Sequence, residues 1–266
     1  MGSWSHIYRP AVLGPGTIWR YPSLTMTDSH SDLAAWLRGP LGQRLLDLEL
    51  RVVGEVLEDV FGTQLLQIGQ WGPPAAFLES ARTRRSALLD VRPDSANLCA
   101  EPEHLAVASH SVDAVLLPHT LERSADPHQV LREADRVLIA DGRLIVVGFS
   151  PLGPLGLRRL LGRRPFPPDC GQVVRQKRLN EWLSVLGYET VVQRRFFYAL
   201  PFFAAKWTGH SDRMERFGSR YCSRLACAYV LHARKRVFRI VPVGRILRRR
   251  RPAVVGLAEP STRNVA

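Results

Sequence analysis

The sequence predicts an α/β protein built on one mostly parallel sheet, and three observations carry that expectation. Short apolar strands alternate with helix-period segments between residues 65 and 147, which is the order of βαβ units. Val112 to Leu117 is a nearly unbroken apolar run, as a strand buried on both faces of a parallel sheet requires. Strand Leu65-Leu66-Gln67-Ile68 ends in the turn Gly69-Gln70-Trp71-Gly72, and Asp90 closes the next strand 21 residues after Gly69. In such sheets a ligand sits beyond the C-terminal ends of the strands.

The elements follow in order. Residues 1–30 carry few periodic apolar positions and are expected to be a disordered extension, with order beginning near Ser31 and Met26 as the true start. Leu33, Trp36 and Leu37, then Leu41, Leu45, Leu48, Val52, Val56 and Val60, recur at helical spacing, so residues 31–60 read as an amphipathic helical segment interrupted at Pro40. After strand 65–68 and the Gly-Trp-Gly-Pro-Pro turn, Ala75 to Arg82 reads as a helix, Ala87 to Asp90 as a strand, and Leu98 as the centre of a short segment. Pro127 suits a first helical turn, and Val130, Leu131, Ala134, Val137 and Leu138 form that helix's apolar stripe, which Asp141-Gly142 is expected to end. Leu144 to Val147 is a second buried strand. A helix over Leu179 to Leu186 and strands over Tyr188 to Phe197 and Cys227 to Ala233 complete a domain at 31–240, followed by a basic tail at 241–266.

With 266 residues and 45% apolar composition, the chain can bury one full core. No apolar run reaches the length of a membrane span, and residues 1–21 lack the apolar stretch of a secretory signal, so a cytoplasmic location is expected. Cys99, Cys170, Cys222 and Cys227 form no C-x-x-C pair and have no histidine at zinc spacing; free thiols and no metal site are the expectation. Residues 1–150 hold 13 basic and 18 acidic residues, a net −5, whereas residues 151–266 hold 24 and 6, a net +18. Such asymmetry fits a nucleic-acid or anionic-membrane surface, but the cations are nearly all arginine, which a GC-rich genome also produces. Arg248 to Arg251 lacks interleaved aromatics and reads as a solvated tail rather than a single-strand platform.

Among candidate site residues, Gly69 suits a turn in which backbone approaches an anionic ligand group, with Gln70 and Gly72 beside it. Asp90 stands where a ribose diol would find its acceptor; an aspartate opening an ordinary turn is the alternative. His119 follows the central strand, at the edge where ligands meet, and either contacts one or is a hydrogen-bonded loop histidine; Glu122 supports the same loop. Trp182, Phe196, Phe197, Tyr198, Phe202 and Phe203 read as core or lid residues.

Ser111 to Glu122, Arg132-Glu133-Ala134-Asp135-Arg136-Val137-Leu138 and Asp141 to Val147 resemble, in that order, the fourth-strand motif, the following helix and the next strand entry of type-11 class I methyltransferases. Arg178 to Leu183, through Leu186-Gly187-Tyr188-Glu189, is similar to that family's helix before its terminal strand pair. The resemblance covers roughly residues 63–198, with a looser echo at 225–236. It implies a Rossmann-like three-layer sandwich with a seven-stranded, mostly parallel sheet and an antiparallel terminal strand. It implies S-adenosylmethionine (SAM) as cofactor, held by Gly69, Gln70, Gly72, Asp90, Glu101 and His119, with Glu101 near the adenine amino group and no residue assigned to catalysis. A small-molecule, quinone-like acceptor is favoured over RNA. The chain departs from the family at Gln67, where an acid is expected, and at Trp71 and Pro73, where glycines are. That departure motivates the rival reading, a non-catalytic methyltransferase-like protein with a basic RNA-binding face.

Overall fold

A computed structural model describes residues 26–92, 96–151, 153, 155, 167–198 and 225–236. The chain runs α1 (Met26–Arg38), α2 (Pro40–Leu57), β1 (Gln64–Ile68), a 3-10 turn (Ala76–Ser80), β2 (Arg85–Asp90), β3 (Leu98–Cys99), β4 (Val112–Pro118), α3 (Thr120–Arg123), α4 (Pro127–Val137), β5 (Leu138–Phe149), α5 (Gln176–Val185), β6 (Tyr188–Phe196) and β7 (Ala228–Lys235). The seven strands form one sheet in the order β3-β2-β1-β4-β5-β7-β6. Strands β1 to β5 pair in parallel, with Leu66 beside Val115. β7 lies antiparallel between β5 and β6.

The strands alternate as a period of two demands. Leu65, Leu116, Ile145, Val147 and Val230 face α1 and α2, while Leu66, Val115, Leu117, Val146 and Leu231 face α4 and α5. Each face therefore buries one apolar layer, and each fully buried aliphatic side chain contributes about 1.5–3 kcal/mol. Helix α2 contributes Leu45, Leu46, Val53, Val56 and Leu57 to the first layer. Helix α4 contributes Val130, Leu131, Ala134 and Val137 to the second. Among the described residues, no helix is long and apolar enough to cross a membrane. Cys99 is exposed, Cys170 and Cys227 are buried, and Cys222 lies outside the described residues.

Three local expectations are corrected. Helix α1 begins at Met26, five residues before Ser31; residues 1–25 and the tail at 241–266 lie outside the described residues. The helix expected over 75–82 is only the 3-10 turn Ala76–Ser80, entered through Ala75 in the left-handed region at φ 60°. The left-handed residue at Ala75 breaks the helical path, so the turn cannot join a regular α-helix. Asp141-Gly142 does not end α4. That helix stops at Val137 because Leu138 is already extended, and β5 runs on through a bend at Asp141, φ 63°.

Asp126 caps α4, its carboxylate accepting from the N–H groups of His128 at 3.0 Å and Gln129 at 3.1 Å. Pro127 at the first helical position needs no such partner. Asp126→Ala is expected to lower stability by about 1 kcal/mol, read as a shift of the urea midpoint at unchanged slope; an unmoved midpoint would show that this cap contributes nothing.

Candidate functional site

The sheet order reverses between β1 and β4, and the turn leaving β1 is pinned there from two sides. Gly69 adopts φ 85°, and a Cβ on it would stand 3.0 Å from Thr120 Oγ1; glycine alone meets both conditions. Its N–H donates to Leu89 O at 2.7 Å, and the Thr120 hydroxyl donates to Ile68 O. The next residue is held by Asp90, whose Oδ2 accepts the Gln70 N–H at 2.7 Å while Oδ1 accepts the Arg92 N–H at 3.3 Å. Asp90 is 4% exposed. Gln70 Oε1 accepts from Arg92 Nη2 at 2.9 Å, and Gln70 O accepts from Arg123 Nη1 at 2.7 Å. Gly72, also at positive φ, 75°, lies beneath Leu46 of α2, whose methyls would be 2.9 Å from an added Cβ.

Beside this turn lies a buried polar cluster. Trp71 is fully buried and donates its indole N–H to Glu49 Oε2 at 2.7 Å. His119, at φ 53° and fully buried, places Nε2 2.7 Å from Glu49 Oε1. The His119 ring lies 4.1 Å from the Trp71 ring and stacks on Phe149 at 4.0 Å. Glu122 Oε1 accepts the Phe149 N–H at 2.8 Å, and its Oε2 faces His119 Nδ1 at 4.0 Å. Neither of those two facing atoms has a hydrogen-bond partner among the described residues. One helix carboxylate, Glu49, thus joins the β1 turn to the end of β4.

A cavity of about 420 Å³ opens on the outer side of the turn. Leu33 and Leu37 of α1 and Leu46 of α2 form its apolar wall, and Gln70, Gly72, Arg38, Arg92 and Arg123 form the remainder. Of the residues singled out by sequence, Gly69, Gln70, Gly72 and Asp90 meet at this turn. His119 is brought against its inner side rather than into the cavity. Glu101 stands apart: it is exposed and pairs with His104 at 3.7 Å. Phe196, Phe197 and Tyr198 are buried core, Trp182 packs on the His128 ring at 3.9 Å, and Phe202 and Phe203 lie outside the described residues.

Glu49, Arg123 and the placement of Trp71 are the functional features that sequence reading missed. A signal existed for Glu49, which interrupts the apolar stripe Leu45, Val53 and Val56 as an acid on the buried face of α2. A buried carboxylate demands donors, and Trp71, standing where a glycine is expected, carries one.

Residues 73–146 match the family model described as "Methyltransferase domain". A solved SAM-dependent methyltransferase of Thermotoga maritima superposes with a TM-score of 0.52 at 16% identity, covering 74% of this chain and 99% of that one. The chain carries a class I methyltransferase fold. A SAM-dependent methyltransferase of Archaeoglobus fulgidus gives 0.51 at 15% identity, covering 72% and 94%, and a geranyl diphosphate methyltransferase in complex with SAM gives 0.52 at 14%, covering 73% and 87%. At these identities the likeness is one of fold. The uncharacterized protein YafS of Escherichia coli K12 is 40% identical over 138 residues, 52% of this chain and 54% of YafS. The chain therefore spans about half the length of that relative. The matched domain begins at residue 73, just past the glycine turn.

The residues of this methyltransferase fold suit SAM unevenly. Gly69 and Asp90 fit a nucleoside end, since a carboxylate has lone pairs beyond the two used by Gln70 and Arg92. The methionine end is offered less: the Trp71 indole packs against His119 and Phe149 where the family pattern has a glycine, and the 3-10 turn offers no helix N-terminus. The arginines beside the turn would attract the carboxylate of SAM and repel its sulfonium.

Burial pushes the Glu122 carboxyl above its ordinary value of 4.5, with His119 and the Phe149 N–H offsetting part of the rise. The fold therefore holds this proton more tightly than the unfolded chain, and the stabilisation present at low pH is lost as pH rises through the folded value. Glu122→Gln keeps an acceptor for Phe149 and cannot ionise. Its stability relative to the parent, by thermal unfolding, is expected to improve as pH rises from about 4 to about 7; a pH-independent difference would contradict this account.

Proposed function

We propose that the chain is a SAM-dependent methyltransferase acting on a small-molecule acceptor, in preference to RNA. The observation that carries this reading is the Gly69 turn tied to Asp90 at the switch point of the sheet, the arrangement that a nucleoside cofactor uses in folds of this kind. Asp90 and Gly69 are the residues that would hold the ribose and the turn above it. SAM, when bound, supplies a methyl group already activated on sulfur, so the protein's task is to position the acceptor. The cavity is of a size for one small molecule, which supports the acceptor class. No membrane-crossing helix occurs among the described residues, and a cytoplasmic location is part of the proposal.

A second reading, a non-catalytic protein on the same fold, is favoured by one specific observation: the position where the family pattern has a glycine holds Trp71, fully buried and packed against His119. Calorimetry with SAM and with its demethylated product separates the two. Micromolar binding that weakens by about tenfold or more in Asp90→Ala is expected, the loss of charge-assisted hydrogen bonds to the ligand. Binding of neither compound would sink the enzyme reading. Steeply salt-dependent RNA binding lost on neutralising Arg248 to Arg251 would instead make RNA the acceptor or partner.

A further inference from the structure

Among the described residues, three guanidinium groups and no carboxylate line the cavity beside the glycine turn: Arg38 from α1, Arg92 after β2 and Arg123 at the end of α3. We infer that this cavity binds a small molecule with an acidic head, phosphate or carboxylate, and an apolar body. The inference goes beyond methyl transfer and holds under either reading of function, since such a molecule would be the acceptor in one and the sensed ligand in the other.

The geometry divides the cavity into two ends. Leu33, Leu37 and Leu46 offer hydrocarbon on the side of α1 and α2. On the opposite side the arginines are placed by contacts that leave charge unbalanced. Arg123 donates to Asp169 at 2.8 Å and to Gln70 O at 2.7 Å, so its charge is partly countered. Arg92 reaches only a neutral partner, Gln70 Oε1, and Arg38 only Ala34 O. Neither forms an ion pair among the described residues. The nearby carboxylate, Asp90, is not among the lining residues, and its oxygens accept the N–H groups of Gln70 and Arg92. Like charges converging on one concavity repel each other and concentrate anions. Guanidinium forks match carboxylate and phosphate oxygens in pairs. The volume, about 420 Å³, holds a single small ligand and no macromolecular segment of length.

Calorimetry on the full chain with octyl phosphate below its micellar range, with inorganic phosphate and with octanol tests the inference. Octyl phosphate is expected to bind once per chain, and the other two each weaker by about tenfold or more, because each engages only one end. Arg38→Gln with Arg92→Gln, on exposed side chains, is expected to weaken octyl phosphate by about tenfold without moving the thermal unfolding midpoint. Octanol binding as tightly as octyl phosphate, or a double variant that binds unchanged, overturns the inference. Phosphatidylglycerol-containing vesicles separate a soluble ligand from a bilayer headgroup. Cosedimentation with vesicles without octyl phosphate binding overturns a site for a single small ligand, whereas octyl phosphate binding without cosedimentation supports it. SAM is titrated separately, so failure of either reading leaves the other standing.

Discussion

Everything around the switch point depends on the Glu49 carboxylate. Buried on α2 with no exposure, it would be strongly unfavourable alone. It is met from opposite sides of the crevice by the Trp71 indole N–H, which donates to Oε2, and by His119 Nε2, 2.7 Å from Oε1. That match fixes three things at once: the seat of α2 on the sheet, the inward turn of Trp71, and the left-handed backbone at His119. Leu46, one helical turn away, then closes over Gly72. The helix pair α1 and α2 is thus a structural lid on the β1 turn, attached by a polar bond as well as by its apolar stripe.

The same attachment separates two environments that a glycine-rich turn would leave joined. Inside lies a dry cluster of Trp71, His119, Phe149, Glu49 and Glu122. Outside lies the arginine-lined cavity, with Gln70 and Gly72 as the partition. A family whose turn is all glycine has backbone there and little else. Here the indole fills the inner side of the turn, and the open cavity lies on the outer side among side chains of one charge.

The architecture was legible because strands buried on both faces leave an unmistakable pattern. Val112 to Leu117 and Leu144 to Val147 read as interior strands, and Pro127 marked the start of α4. The 3-10 turn after Pro74 was not legible from periodicity, since Phe77 and Leu78 bury themselves as a helix's residues would. Nor was the fate of Asp141-Gly142, a turn pair that a bulged strand accommodates as readily as a helix end. Within the site, Gly69 and Asp90 followed from spacing alone. Glu49 did not, because its partners lie 22 and 70 residues away. Pairings of that separation are a property of the folded chain.

The position of β7 has a consequence for how the molecule assembles. It is inserted between β5 and β6, so the interior of the sheet is completed by residues 228–235, the last strand among the described residues. During synthesis the strands up to β5 can pair with close neighbours in sequence, but the outer edge of β5 stays open and β6 has nothing to join. Non-local pairings of this kind form late and slowly. An open apolar edge is the feature other chains pair with. The nascent protein therefore passes through a five-stranded stage with Ile145, Val146 and Val147 on its rim, and its aggregation risk is concentrated in the interval before residue 235 leaves the ribosome.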